Sequence, residues 1–462
     1  MNGLLLSAAW KSSGKTTVSI GLIASLVARG LAVQPFKKGP DYIDPMWLGV
    51  AAGRPCRNLD LRLQGDGLEG YFSRHAAGSD LAFVEGNLGL HDGFAPDGTD
   101  SNAAVARRLG LPVIVVLDAR GITRGLAAIL MGLQVFDPRV TIAGAILNRL
   151  ASPRHEAKLR DAIERYTDVP VLGALAEQPA LSLVERHLGL MPSNEAAEPS
   201  RTAARLAEAI GAAIDVEAVA AIARRARTPA VSPLPRVRTA VPDGPVIAIA
   251  RDRAFGFYYP DDLDALQAAG ARLVEIDMVH GTGLGAADAL FLGGGFPEML
   301  ARPLEANMAM REAVRSAAER GMPMYAECGG LMYLARTLTH EGETHAMAGV
   351  LPLDVVMHAK PVGKGYVTLE ETAHHPWPRG RGEVLGHEFH YSSVENADPS
   401  LRFAYRVARG HGISAGHDGI VHRNVLASYA HLRCVGGEDW AGRFVAFARK
   451  LSRPSLRVGS AA

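Results

Sequence analysis

Two kinds of stretch alternate along the first half of the chain. Short runs that are apolar at nearly every position (3–9, 81–84, 111–117, 141–147 and 169–172) are separated by longer stretches with helical spacing of their apolar residues. A run with no polar face predicts a strand buried on both sides, as in a parallel sheet covered by helices. The alternation stops at 224–244 (RRARTPAVSPLPRVRTAVPDG), where prolines and arginines crowd without periodicity, and resumes at 245–250, 289–292 and 322–326. This predicts two α/β domains, 1–223 and 245–450, joined by a linker at 224–244 and followed by a tail at 451–462. The stretch 345–431 departs from the alternation, being rich in Gly, His and short β-like runs.

Composition narrows the chemistry. At 462 residues and 48% hydrophobic content the chain can bury two or three cores. Its net charge of +1 offers no global footprint for nucleic acid or an acidic membrane, so any anionic ligand must be held by local charge. Cys56, Cys328 and Cys434 lie far apart, which excludes a disulfide framework and a CxxC zinc site and suits a reducing compartment. Residues 4–10 are too short for a signal sequence, and no run approaches the ~18 apolar residues of a membrane span. A soluble, cytoplasmic protein is expected.

The first apolar run leads into WKSSGKTT, closing a GxxxxGK(S/T) pattern with Ala9 at the first glycine position. Strand, loop and helix coincide here, which is the context a phosphate-binding loop requires. Gly14 and the helix N-terminus would cradle phosphate oxygens, Lys15 would reach the β and γ phosphates, and the Thr16 hydroxyl would ligand Mg²⁺. The next strand ends in Lys37 and Lys38 followed by Asp41 and Asp44, and the run 81–84 delivers Glu85 and, further on, Asp92. Charged groups at the carboxyl ends of parallel strands gather where open α/β sheets place ligands.

In the second half, MPMYAECGG is an apolar run ending in Cys328, then two glycines and a helical pattern. Such a strand-to-helix elbow exposes a nucleophile and sets backbone amides where an oxyanion develops. The glycine-rich strand end LGGGFPE supplies further amides, so Gly294, Gly295 and Gly329 are the expected oxyanion donors. The thiol needs a base, and His431, after the apolar run ASYA, is the candidate. Eleven of the sixteen histidines fall within 340–431. Their HEFH segment lacks the two-histidine i, i+4 spacing of a zinc protease, so structural or substrate-contacting roles are expected there.

Taken in order, SSGKTT, KKGPDYIDP, EGNLGLHDG, ILNR, ERHLGL, GGGFPE, AECGGLMYL, GHEFHYS and SYAHLR resemble the glutamine-dependent cobyrinic (or hydrogenobyrinic) acid a,c-diamide synthases over nearly the whole chain. The resemblance implies a P-loop synthetase domain similar to dethiobiotin synthetase, joined to a class I-type glutaminase domain. It implies that Gly14, Lys15, Thr16, Thr17 and Asn148 bind ATP, and that Lys37, Lys38 and Tyr42 contact an acetate-bearing tetrapyrrole, corrinoid or sirohaem-like. Asp41, Asp44, Glu85 and Asp92 then serve acetate amidation, with Thr16, Asp41 and Glu85 on Mg²⁺ and Asp44 and Asp92 nearer the acetate. Cys328 matches the glutaminase nucleophile and His431 its base. Arg433 stands where class I glutaminases usually carry a glutamate, which implies a Cys–His pair. Asn87 and Asn102 are more similar to relatives that amidate sirohaem or nickel-sirohydrochlorin.

The expected reaction is therefore ATP-dependent amidation of carboxylates with ammonia drawn from glutamine, without nucleic acid or membrane, and with a homodimer among the open assemblies. Two other classes remain at this stage. A regulatory P-loop ATPase has no use for Cys328, and a synthetase with an inactive C-terminal binding module turns over ATP without glutaminase activity.

Overall fold

The apolar runs of the first half become parallel strands: β1 (Gly3–Ala8), β2 (Val33–Lys38), β3 (Arg57–Leu59), β4 (Leu81–Glu85), β5 (Val113–Asp118), β6 (Ile142–Leu150) and β7 (Val171–Ala176). They pair in the order β3-β2-β4-β1-β5-β6-β7, with every pairing parallel. This is the first of two compact units, Met1–Pro235 and Arg236–Ala462, in a computed structural model that describes residues 1–178, 183–186, 189–228, 244–380 and 382–452. Leu4, Leu6, Phe83, Ile114 and Val116 of the central strands pack with Val18, Leu22 and Leu26 of the helix α1 (Lys15–Ala28). Gly21 lets α1 approach the Pro199–Ala213 helix, since a Cβ there would collide with Ile210.

Strands begin slightly later than the apolar runs because proline opens several of them. Proline has no N–H to give a ladder, yet its carbonyl still accepts. Leu5 N donates to Pro112 O at 2.9 Å and Ala145 N to Pro170 O at 2.9 Å. Past the sheet, the helix Val216–Ala223 ends where the linker was expected to begin, but Arg227 N still donates to Gly110 O at 2.8 Å. The rest of the expected linker, 229–243, lies outside the described residues.

The second unit holds a nine-stranded sheet. Five strands run parallel in the order Arg272–Ile276, Val246–Ala250, Ala289–Leu292, Met324–Glu327 and Val425–Ser428. The sheet continues antiparallel through His417–His422, Arg402–Arg409, Gly363–Glu371 and Glu383–His390, so the Gly- and His-rich stretch is β structure. The C-terminal helix Trp440–Ser452 buries Trp440, Phe444 and Val445 against this sheet. It runs two residues beyond the expected end of the domain, and 453–462 of the expected tail lie outside the described residues. Among the described residues no helix is long and apolar enough to cross a membrane.

Candidate active sites of the two units

Between β1 and α1 the chain curls through Ser12 at φ 63° and Gly14 at φ 88°, both left-handed. Gly14 is required twice over, because a Cβ there would also collide with Asn148 Nδ2. The loop is held from β6: Asn148 Nδ2 donates to Ser13 O at 2.9 Å, and Arg149 Nη1 donates to Ser12 O at 2.6 Å and to Asp118 at 2.7 Å. Lys15 Nζ donates to Leu88 O at 2.6 Å, tying the loop to the end of β4. Burial and the charge of Lys37 lower the Lys15 ammonium to about 8. A cleft of 790 Å³ opens over this loop, lined also by Thr17, Asp41, Asp44 and Asn87.

At the floor of the cleft two carboxylate oxygens are shared. The Thr16 hydroxyl lies 3.1 Å from Glu85 Oε1 and 3.3 Å from Asp44 Oδ2, and Lys37 Nζ donates to the same two oxygens at 2.6 Å each. Glu85 is 0% exposed and Lys37 2%, so these charges face one another with little screening. Burial opposes the Lys37 charge, but Asp44 and Glu85 hold its ammonium well above the usual lysine range. Burial likewise works against ionised Asp44, and Lys37 outweighs it, leaving the carboxyl below its ordinary value. Burial raises Glu85, and burial with the neighbouring Asp44 pushes Asp41 up to about 7.

The geometry sets the four acids apart. Asp44, not Asp41, meets Thr16 and Glu85; Asp41 Oδ1 instead accepts from Asp44 N at 3.1 Å, and its Oδ2 lies 3.9 Å from Lys37. The reason is local: the helix Ile43–Ala52 begins between them, so Asp44 lies in its first turn and Asp41 before it, bonded to Asp44 N. Asp92 is also apart from this cluster, exposed, with Oδ2 accepting from Gly89 N at 3.1 Å. Lys37 and Lys38 are neighbours in β2 and so face opposite sides of the sheet. Only Lys37 lines the cleft; Lys38 is buried, its ammonium lowered by that burial and partly restored by Asp100 and Asp60. Tyr42 immediately precedes the helix that carries Asp44.

A hydroxyl and two carboxylates closing on a cation form a hard oxygen donor set, which fits Mg²⁺. Among the described residues no three His, Cys, Asp or Glu side chains make a metal cage by themselves. A divalent ion here would complete its shell with phosphate oxygens and water.

In the second unit the strand Met324–Glu327 ends at Cys328, whose backbone sits at φ 47° and ψ −100° before the helix Gly329–Leu334. Such a conformation costs a non-glycine residue of order 1–3 kcal/mol. It is held at both ends, with Cys328 N donating to Ser428 O at 2.8 Å and Met332 N donating to Cys328 O at 3.1 Å. A Cβ on Gly329 would sit 3.0 Å from Gly295 N, and one on Gly330 would collide with Leu292 O. The glycines thus let the elbow press on the Gly294–Gly295 strand, and Gly294 in turn faces His431, whose Cε1 would lie 2.9 Å from a Cβ there. The three expected oxyanion glycines are gathered around the thiol and the imidazole.

His431 Nδ1 lies 3.1 Å from Glu327 Oε2, with both side chains buried. Burial alone would lower the imidazole, but hydrogen bonds to Cys328 and Glu327 raise it to about 10. His431 also stacks on His387, centroids 4.9 Å apart at 18°, and their backbones exchange hydrogen bonds of 3.1 and 2.8 Å. Burial and the charges of His431 and Arg433 keep His387 neutral, well below the usual range. Arg433 points elsewhere, pairing with Asp261 Oδ2 through Nε at 2.9 Å and Nη2 at 2.6 Å. Burial pushes the Cys56 and Cys434 thiols well up, which leaves them unreactive.

Glu327 was absent from the sequence expectation. Nothing in AECGG marks the residue before the nucleophile, and its histidine lies 104 residues away. The rest of HEFH has structural partners: Glu388 accepts from His411 N and Gly412 N at 2.6 and 2.9 Å, and His390 Nδ1 donates to Ser392 O at 2.8 Å. Asn102 is likewise structural. Fully buried, its Nδ2 donates to the carbonyls of Asn87 and, at 2.8 Å, Gly89, and its Oδ1 accepts from Asn87 N at 3.1 Å. It shapes the loop after β4, whereas Asn87 lines the cleft.

Residues 11–190 match the CobQ/CobB/MinD/ParA nucleotide binding domain, and residues 246–438 match the CobB/CobQ-like glutamine amidotransferase domain. Site and fold thus define a nucleotide-binding domain joined to a glutamine amidotransferase domain. The chain is 45% identical to a cobyrinate a,c-diamide synthase of Magnetococcus marinus over 97% of both chains. It is 41% identical to one of Methanosarcina barkeri over 96% of each, and 37% identical to one of Salmonella typhimurium, covering 97% of this chain and 99% of that one. The chain belongs to the cobyrinate a,c-diamide synthase family, as the ordered motifs implied.

Proposed function

We propose that this chain is an ATP- and glutamine-dependent ligase that converts the a and c acetate carboxylates of cobyrinate to amides through acyl phosphates. The observation that carries this reading is the union, in one chain, of two sites. One is a phosphate loop over the Lys37, Asp44 and Glu85 cluster; the other is a thiol–imidazole pair on a strand-to-helix elbow. The 45% identical relative bearing that name supports the choice of substrate.

A carboxylate does not accept ammonia directly at neutral pH; it must first become a better electrophile. ATP is the second substrate. Lys15 and the N-terminus of α1 hold its phosphates, and the acetate oxygen attacks the γ-phosphorus to give an acyl phosphate and ADP. Bound Mg²⁺, held by Thr16, Glu85 and Asp44, would supply charge neutralisation on the phosphates. Lys37 offsets the burial of Asp44 and Glu85, so that an incoming anion does not meet uncompensated negative charge. Ammonia then adds to the acyl carbon and phosphate leaves.

In the second unit Cys328 passes its proton to His431 and attacks the glutamine amide carbon. Backbone amides around Gly294, Gly295 and Gly329 receive the oxyanion. His431 returns the proton to the departing ammonia, and then activates the water that hydrolyses the thioester to glutamate. The reducing cytoplasm suits a reaction that needs a free thiol, and all three cysteines are free.

Asn102 serves the fold of the loop and does not face the cleft, so it gives no support to a sirohaem-type substrate. The test is to incubate the chain with glutamine and Mg-ATP, offering cobyrinate, sirohaem or nickel-sirohydrochlorin in turn, and follow product mass. Two successive amides on cobyrinate alone are expected. Amidation confined to another tetrapyrrole would overturn the substrate, and ATP turnover with no amide would overturn the reaction.

A further inference from the structure

We infer that Glu327 is a positioning residue of the glutaminase site, fixing both the ring and the proton of His431. This rests on the reading of Cys328 and His431 as nucleophile and base, and replaces the expected Cys–His pair with three members.

The geometry is specific at every oxygen. Tyr325 and Glu327 lie two apart in the Met324–Glu327 strand and so share a face. Tyr325 OH donates to Glu327 Oε1 at 2.8 Å, and Leu432 N donates to the same oxygen at 3.1 Å. Oε2 is left for His431 Nδ1. The carboxylate therefore grips backbone and ring of one short segment, while His387 stacks on the ring face. Cys328 follows Glu327 directly, and its left-handed backbone lets strand end and nucleophile meet the same imidazole.

The chemistry follows from which nitrogen holds the proton. A carboxylate only accepts, so Nδ1 carries hydrogen toward Glu327 and Nε2 is the nitrogen left to exchange a proton with the Cys328 sulfur. That tautomer takes the thiol proton as the C–S bond forms and returns it as the C–N bond breaks and ammonia leaves. Other titratable groups crowd the same place. Burial and the Glu327 charge push the Asp262 carboxyl well up, burial and the charges of His431 and Arg433 hold His387 well below the usual imidazole range, and the Arg433 guanidinium is taken by Asp261. Hydrogen bonds to Cys328 and Glu327 raise His431 to about 10, which holds the proton on the imidazole once it has left the thiol.

The test uses the full chain with E327Q, E327D, Y325F and C328A. It reads glutamine hydrolysis (kcat and KM separately), the pH dependence of Cys328 alkylation by iodoacetamide, and ammonium-driven amidation as the control for folding. E327Q is expected to lower glutaminase kcat about 100-fold or more with KM little changed, because an amide facing Nδ1 favours the wrong tautomer. Without the Glu327 charge the imidazolium is harder to form, so the alkylation midpoint should rise by about one pH unit. E327D should recover part of kcat. A purely structural role would move neither the midpoint nor the kcat–KM split. If E327Q keeps kcat within about twofold and an unchanged midpoint, the proposal is overturned. Should E327Q also lose ammonium-driven amidation, Y325F carries the test: a smaller fall in kcat with a smaller rise in midpoint supports the role, and no change in either overturns it. A C328A chain that still hydrolyses glutamine would overturn the glutaminase reading itself, which is distinguishable because Cys328 then has no role for Glu327 to support.

Discussion

At the nucleotide loop, a 790 Å³ cleft is lined by Thr16, Lys37 and Asp44, and Thr16 and Lys37 share one oxygen of Asp44 and one of the buried Glu85. At the elbow, Cys328 is 9% exposed and a single carboxylate serves a single imidazole. Both sites lie at the carboxyl ends of parallel strands, and both bury charge that would be costly unpaired. The difference lies in what each must handle. Phosphoryl transfer to a carboxylate brings together two anions, so that site needs room and exchangeable counter-charge. Thioester chemistry moves one proton between two atoms, so that site needs an oriented ring.

The largest test of the comparison is Lys15→Ala. It should remove about 3 kcal/mol or more of transition-state stabilisation, a fall of a hundredfold or more in kcat/KM, whether ammonia comes from glutamine or from an ammonium salt. Glutamine hydrolysis measured without tetrapyrrole should persist, and its equal loss would erase the separation of the two sites. Next comes Asp44→Asn, expected to cut ammonium-driven amidation about 100-fold with a raised Mg²⁺ requirement, because Asp44 shares its oxygen with both Thr16 and Lys37. Asp41→Asn should cost about tenfold or less, and a reversal of that order in a Mg²⁺ titration would restore the arrangement expected from sequence.

A smaller effect tests the electrostatics of the cleft. Lys15 has a lowered value of about 8, so at pH 7 it is charged in the free protein and above pH 8 it is largely neutral. Binding phosphate then requires uptake of a proton, which weakens binding as pH rises. The KM for ATP in the ammonium-driven reaction should increase several-fold between about pH 7.5 and 9.5. A flat KM across that range would mean Lys15 is not buried against Lys37 in the free protein.

What could be read from the sequence follows the same contrast. Parallel strands buried on both faces appear as unbroken apolar runs, so β1, β4, β5 and the strand before Cys328 were legible, as was the loop that joins β1 to its helix. Legible too were the residues at strand ends, since a strand of known end must deliver them to the cleft. The choice between Asp41 and Asp44 was not, because it depends on where a helix starts within three residues. Lys37 and Lys38 read as one basic pair in the sequence, although strand alternation sends them to opposite faces. Glu327 was hidden for a different reason: its partner is far away in sequence, brought near only when the Val425–Ser428 strand pairs beside Met324–Glu327. Side chains fixed by local periodicity can be placed from sequence, whereas those fixed by cross-strand pairing need the fold.

The division of labour between the two units is tested most directly by Cys328→Ala, assayed for amide formation on cobyrinate with Mg-ATP and either glutamine or an ammonium salt. The account predicts loss of glutamine-driven amidation by about a thousandfold, with ammonium-driven amidation kept within about twofold of the unaltered chain. A folded variant that loses both activities, or keeps both, would contradict it.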